Sequence, residues 1–186
     1  MLPAFTIERA EVAPTSCPMK WLGAGGQAGP IYIIKHKDKA LWAVGIDHGD
    51  AAHVPFREEF YWTATKTMVI GGGNTVYFLA VDSGDLRAKI DVPSYFGHLE
   101  LIDGPGELGT TEQMLLILGW TDVHAIDTRF LTRWVARNVA VDGVVFCEML
   151  GNELIFNAEM DPPGGWVEVA LSVQTGIELW RNAPGG

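Results

Sequence analysis

The stretch that decides the fold is ALSVQTGIELW, residues 170–180. An apolar run leads into a Thr-Gly pair, and an aliphatic segment ending in Trp180 follows. Glycine adopts the left-handed backbone conformation of a tight turn without a steric penalty. The stretch therefore predicts an inner strand, a hairpin turn at Gly176, and a further strand whose tryptophan packs on a neighbouring sheet.

Three earlier stretches match this pattern when they are aligned on the turn. They are AVGIDHG at 43–49, FLAVDSG at 78–84 and AIDTRF at 125–130, the last with one residue missing from its turn. The four starting residues lie 35, 47 and 45 positions apart, which suits one four-stranded unit per repeat. Because one such unit cannot bury both of its faces alone, the copies are expected to stack.

Each repeat lies in a predicted β-hairpin, in which two runs rich in β-branched and aromatic residues flank a polar or glycine turn. The four hairpins are IYIIKHKDKALWAVGI, TMVIGGGNTVYFLAV, QMLLILGWTDVHAI and NELIFNAEMDPPGGWVEVAL. Further strands are predicted at AFTIERAEV, EEFYWTA, HLELID and GVVFCEML. The segment DTRFLTRWVARNV has helix-like apolar spacing, but a strand is favoured because its counterparts in the other repeats are strands.

The opening stretch resembles the blade signature of quinoprotein-type (PQQ-like) β-propellers, in which Ala-Leu-Asp-x-x-Thr-Gly leads to a tryptophan. Thr175, Gly176 and Trp180 stand at the expected positions, and Ser172 replaces the aspartate. The earlier copies match less closely, and together they are similar to degenerate PQQ-like or WD40-like repeats over residues 31–180. The resemblance implies a propeller-like arrangement of about four units and no particular cofactor.

We therefore predict a single all-β domain over residues 1–186, built as a small propeller-like stack of four-stranded antiparallel sheets. Residues 1–30 would form an N-terminal strand and a Gly-rich loop, and residues 31–186 about four blade-like repeats. A β-sandwich or a barrel is the alternative fold. A homodimer is one way in which such sheets could complete a larger ring.

The charge and hydropathy of the chain narrow its class of partner. A net charge of −10 argues against nucleic acid and anionic membranes, which require a basic surface, and leaves a basic protein as a permitted partner. No apolar run is long enough to span a membrane, and MLPAFTIERAEV lacks the apolar region of a signal peptide. We expect a cytoplasmic protein, in which Cys147 of VVFCEML is a buried thiol.

One segment, from His48 to Glu59, offers candidate metal ligands. His48, Asp50 and His53 carry the imidazole and carboxylate groups that bind divalent cations. Their spacing matches no established metal motif, so a polar turn between strands is the competing interpretation. No nucleophile motif or Cys–His pair is present in the sequence, so no catalytic residue is assigned and a non-enzymatic role is favoured.

Tryptophans supply the remaining candidates, because aromatic residues dominate protein-binding surfaces. Trp134 and Trp180 fit the repeat and are expected in the core. Trp62, Trp120 and Trp166 lie near predicted turns or strand edges and are the candidate partner-binding residues.

The favoured function is a non-catalytic protein-interaction module, for example a bacterial immunity-type or scaffold protein that binds a basic partner. The alternative is a metal-dependent enzyme, or a protein that binds a small ligand, with its site in the segment from His48 to Glu59.

Overall fold

The computed structural model describes residues 5–25, 29–49, 56–105 and 111–182. The chain forms two compact units, Met1–Asp91 and Val92–Gly186. Each unit contains two four-stranded sheets, so the predicted all-β, propeller-like class is confirmed. The described residues also include a short 3-10 helix, Thr63–Thr65. None of their helices is long and apolar enough to cross a membrane.

The first unit consists of sheets A and B. Sheet A contains β1 (Phe5–Ala10), β2 (Met19–Gly23), β3 (Ile31–His36) and β4 (Lys39–Asp47), in the order β1-β3-β4-β2. Sheet B contains β5 (Arg57–Trp62), β6 (Thr67–Gly72), β7 (Thr75–Ala80) and β8 (Leu86–Asp91), in chain order. In sheet A the strand β2, which the sequence did not predict, lies parallel to β4 and takes the edge position that β8 holds in sheet B.

The second unit consists of sheets C and D, both antiparallel and both in chain order. Sheet C contains β9 (Phe96–Pro105), β10 (Thr111–Gly119), β11 (Val123–Ile126) and β12 (Thr132–Ala136). Sheet D contains β13 (Val144–Leu150), β14 (Glu153–Asp161), β15 (Gly165–Ser172) and β16 (Glu178–Arg181). The segment with helix-like spacing forms β12, as favoured from the repeat.

Each of the four predicted hairpins forms the two central strands of one sheet: β3–β4, β6–β7, β10–β11 and β14–β15. Three of these pairs are largely buried along their length because both faces of the strands are covered. The further strands predicted at AFTIERAEV, EEFYWTA, HLELID and GVVFCEML form β1, β5, β9 and β13, the edge strands at one end of the four sheets. One residue differs from expectation: Cys147 is exposed, because it lies at a β-bulge in β13 that leaves it out of register with β14.

The turn that follows the third strand has the same hydrogen bonds in sheets B and D. In sheet B the amide of Ala80 donates to the carbonyl of Asp85, and the amide of Gly84 donates back to Ala80, both at 2.8 Å. Ser172, Ile177 and Gly176 form the same pair of bonds in sheet D, again at 2.8 Å. The φ angles of the two glycines are +69° and +68°, so the alignment of these repeats is confirmed.

The turn in sheet C is one residue shorter, as the sequence alignment requires. The amide of Phe130 donates to the carbonyl of Asp127 at 2.9 Å, and Phe130 takes the left-handed φ of +64° where the other repeats have glycine. The Asp127 carboxylate accepts bonds from the amides of Arg129 and Leu131, both at 2.9 Å. These side-chain bonds compensate for the missing glycine, because Asx side chains stabilise tight turns.

A buried tryptophan joins the two sheets of each unit through this turn. In the first unit Trp42 stacks on Gly84, whose added Cβ would lie 2.8 Å from the indole, and its Nε1–H donates to the Val81 carbonyl at 2.9 Å. In the second unit Trp134 stacks on Gly176 and donates to the Val173 carbonyl, also at 2.9 Å.

The apolar core of each unit surrounds its tryptophan. Large buried side chains in the first unit include Tyr32, Ile34, Ile46, Met68, Ile70 and Leu79. The second unit buries Leu116, Leu118, Val123, Leu154, Phe156, Val169 and Leu171. In both units these residues come from two sheets, so the stacking of one sheet on the next buries the faces that a single sheet would expose.

Substitution of Gly176 tests the role of the turn. Gly176→Ala places a methyl group against the Trp134 ring at a left-handed φ, and we expect it to lower the free energy of unfolding by about 2–4 kcal/mol. Gly151→Ala is the control, because Gly151 has a similar φ of +61° and nothing within 4 Å of the added Cβ. We expect about 1 kcal/mol for that variant, from backbone strain alone. The free energy of unfolding is measured by urea denaturation. Equal losses for Gly176→Ala and Gly151→Ala would contradict the packing role of Gly176.

Candidate interaction face on sheet D

Sheet D has one covered face and one partly exposed face, on which Ile155, Ala170 and Ser172 are buried. Side chains alternate along each strand, so Leu154, Phe156, Val169 and Leu171 point into the core of the second unit. The cross-strand register places the other set on the opposite side, which we call the outer face of sheet D. The outer face consists of Val145, Glu148, Leu150, Glu153, Ile155, Asn157, Glu159, Trp166, Glu168, Ala170, Ser172 and Trp180.

Large apolar side chains are exposed on this face. The exposed fractions are 44% for Trp166, 37% for Trp180, 42% for Val145 and 55% for Leu150. Two aromatic rings and two aliphatic side chains on one sheet surface are more than scattered exposure of single residues explains. The outer face therefore has the apolar component of a protein-binding surface.

The same face is strongly acidic. It carries four carboxylates, Glu148, Glu153, Glu159 and Glu168, and no Lys, Arg or His is among its residues. The single base in the strands of sheet D, Arg181, pairs with Val169 on the covered side and binds Glu178 at 2.7 Å. The net negative charge is concentrated in the second half of the sequence. Residues 92–186 include thirteen acids, four arginines and no lysine, so they account for most of the net charge of −10.

Hydrogen bonds hold several of these groups in place. The indole Nε1–H of Trp180 donates to Glu153 Oε2 at 3.0 Å. The Asn182 amide donates to Glu168 Oε2 at 2.8 Å, and the backbone N–H of Gly164 donates to Glu159. Side chains already ordered in this way lose less conformational entropy when a partner binds.

Trp180 occupies the position in sheet D that Trp134 occupies in sheet C. Trp180 is paired with Ala170 across β15 and β16, and Trp134 with Ala125 across β11 and β12, each beside a register shift. Trp134 is only 8% exposed, because it lies under the turn of Gly176. The expectation that Trp180 belongs to the core is therefore wrong: the exposed fraction of this side chain is more than four times that of its counterpart.

The residues beside these tryptophans differ between the two sheets. On sheet C the neighbouring row contains the buried Leu118, Val123 and Ala136. The matching row on sheet D contains Asn157 and Glu168, which are partly or fully exposed. The outer face thus combines exposed aromatic side chains with hydrated polar residues, the composition of an interface that forms and separates rather than of a permanent core.

The three predicted partner-binding tryptophans do not share one surface. Trp166 lies on the outer face of sheet D. Trp120 is partly exposed in the turn after β10, with its ring 5.4 Å from that of Tyr95. Trp62 is fully buried at the end of β5, so its assignment to an exposed surface is wrong. The sequence placed it at a strand edge because Thr63 begins a turn, but the indole points inward.

The predicted metal site is described only in part. His48 follows β4, with its imidazole beside Gly72, and burial together with the Arg57 charge lowers the pKa of His48. Asp50 and His53 lie outside the described residues. Within the described ranges no group of three or more His, Cys, Asp or Glu residues could hold a metal ion. The metal site at His48, Asp50 and His53, and the divalent cation that it would bind, stay predictions.

Known proteins share little sequence similarity with this chain. No protein-family model matches it, and no curated protein matches it. Among solved structures it is similar to BamB from Moraxella catarrhalis, with a TM-score of 0.43 and 13% sequence identity. The alignment covers 69% of this chain and 38% of that protein, so the chain spans well under half the length of its structural neighbour.

The two equivalent tryptophans should respond differently to truncation. We expect Trp134→Ala to lower the free energy of unfolding by about 3–5 kcal/mol, because it removes a buried indole. Trp180→Ala should cost less, about 1 kcal/mol, because the side chain is 37% exposed and its removal leaves no closed cavity. Urea unfolding followed by far-UV circular dichroism measures both variants. A loss at Trp180 as large as that at Trp134 would mean that the outer face is part of the core.

Proposed function

We propose that the protein is a non-catalytic protein-interaction module that binds a basic partner through the outer face of sheet D. The observation that carries this proposal is the presence of two exposed tryptophans, Trp166 and Trp180, and four glutamates on one sheet face whose own residues include no Lys, Arg or His. A protein-binding site needs exposed apolar groups for affinity and charged groups for specificity, and both are present on this sheet face.

The two components of the face have different roles in binding. Trp166 and Trp180 each offer a large, rigid ring whose burial supplies most of the affinity. The glutamates act over a longer range, because a patch of one charge sign accelerates the diffusional encounter with a partner of the opposite sign. The acidic rim also disfavours acidic partners, so it contributes to specificity.

The partner is a different protein rather than a second copy of this chain. A homodimer formed through the outer face would bring eight glutamates together, and like charges in one interface cost several kcal/mol. A basic protein satisfies the same carboxylates. An immunity-type protein that covers the basic cleft of a toxin, or a scaffold that holds a basic subunit, is the kind of role that this chemistry suits.

Charge-neutral variants test the proposal. We expect Glu148→Gln, Glu159→Gln and Glu168→Gln together to slow association with the partner about 10-fold to 100-fold at low salt, because steering depends on these charges. The measurement is affinity capture from the source cells with quantitative mass spectrometry. Surface plasmon resonance on the captured protein at 20 mM and 500 mM salt follows.

The matched control removes the same charge elsewhere. Asp38, Asp82 and Asp103 are exposed and lie outside sheet D, so Asp38→Asn, Asp82→Asn and Asp103→Asn together change the net charge equally. We expect association close to that of the unmodified protein. The three baits are the unmodified protein, the triple glutamine variant and the triple asparagine variant. Capture of the same proteins at the same level by all three would overturn the proposal, as would a partner without a basic surface.

A further inference from the structure

We infer that Trp180 binds a glycine-containing turn of a β-sheet in the partner, and that its indole N–H donates to the backbone carbonyl three residues before that glycine. This inference rests on the proposed function and specifies the partner of the same face. The chain itself uses this geometry twice, at Trp42 with Gly84 and at Trp134 with Gly176.

The glycine turn that accepts the indole, at Gly84 or Gly176, is called the receiving turn. This turn defines the geometry, whereas the position of the strand that carries the tryptophan differs between the two contacts. Trp42 lies in β4, the third strand of sheet A by repeat order, whereas Trp134 lies in β12, the fourth strand of sheet C. Both nevertheless donate to the carbonyl three residues before the glycine, Val81 or Val173, at 2.9 Å. A tryptophan that arrives from a different sheet can therefore use the same turn.

Two features make the turn a receiver for an indole. The glycine has no Cβ, so the ring lies flat on the backbone, where any side chain would overlap it. The hydrogen bonds within the turn use the backbone of Ala80 or Ser172 and do not use the carbonyl of the valine that follows. A buried carbonyl without a donor is costly, so the indole N–H stabilises the turn as well as the contact.

Trp180 presents the donor half of this arrangement on the outer face of sheet D. It has the cross-strand position of Trp134, a partly exposed side chain, and an indole N–H that donates to Glu153 at 3.0 Å. When the indole N–H donates to a carbonyl of the partner instead of to Glu153, the Glu153 carboxylate becomes available to a cation. In the first unit an ion pair of opposite polarity flanks the receiving turn, where Lys20 of the sheet that carries the tryptophan binds Asp85 of the turn at 2.6 Å. In sheet D the charge beside the tryptophan is the anionic Glu153, so the complementary group on the partner is a cation. We therefore place a Lys or Arg beside the partner's glycine turn.

Among the described residues, a second copy of the chain offers no turn of this type as a receiver for Trp180. The turns at Gly84 and Gly176 already hold Trp42 and Trp134, and the turn in sheet C has Phe130 in place of glycine.

The remaining turn, at Gly49, is covered within sheet A. The backbone carbonyl three residues before it, that of Ile46, lies against Gly29, and a Cβ added at Gly49 would lie 3.1 Å from the Ala24 side chain. The receiving sheet therefore belongs to a different, basic chain.

Photo-crosslinking identifies what contacts position 180. Trp180→p-benzoylphenylalanine is introduced into the full chain in the source cells, with Leu86→p-benzoylphenylalanine as the control at an exposed strand position in sheet B. We expect position 180 alone to link to one basic protein, within about three residues of a glycine in a strand–turn–strand segment. Linkage to this chain itself, to a helix or an unstructured segment, or no linkage above the control overturns the inference.

Paired phenylalanine variants test the indole N–H separately. Trp180→Phe keeps an aromatic ring and removes the donor, so we expect the dissociation constant for the captured protein to rise about 5-fold to 10-fold. Trp166→Phe makes the same chemical change on the same face and should alter it less than about 2-fold, because no receiver is assigned to Trp166. If both variants bind like the unmodified protein while the glutamine variant does not, the proposed function stands and the turn-docking inference falls.

Discussion

The stacking of an indole on a glycine turn is the contact on which both units of this protein depend. The left-handed φ of Gly84 and Gly176 closes the turn, and the absence of a Cβ leaves a flat surface that the ring covers. Because the turn does not use the valine carbonyl three residues earlier, the indole N–H finds a buried acceptor there. One contact thus satisfies a polar group, fills the core and fixes one sheet on the next.

The same chemistry explains how a structural residue becomes a candidate binding residue. Trp134 and Trp180 share a cross-strand position, yet the first is buried under a turn and the second is exposed beside Glu153. The row of residues next to Trp180 contains Asn157 and Glu168, where the matching row next to Trp134 is apolar. A face with this composition is stable in water and still offers exposed aromatic side chains, which suits an interface that assembles and dissociates.

Much of the architecture was predictable because it depends on local signals. Glycine turns and runs of β-branched residues located the central hairpins, and the turn alignment located the repeats. The strand β2 was missed because MKWLG is short and becomes a strand only by pairing in parallel with the distant β4. The candidate binding face was missed although a partial signal existed: the polar residues Asn157, Glu159 and Glu168 interrupt the apolar runs of β14 and β15, whereas β6 is buried throughout. Trp180 was misassigned because a single-strand pattern does not show which sheet, if any, covers it.

The most direct test of this account is hydrogen–deuterium exchange at the indole N–H groups of the free protein. It is followed by NMR after labelling with 15N-tryptophan, and Trp→Phe variants supply the assignments. The account predicts slow exchange at Trp42 and Trp134, whose N–H groups are bound to buried carbonyls, and fast exchange at Trp180 on the outer face. Exchange at Trp180 as slow as at the other two, or fast exchange at all three, would contradict it.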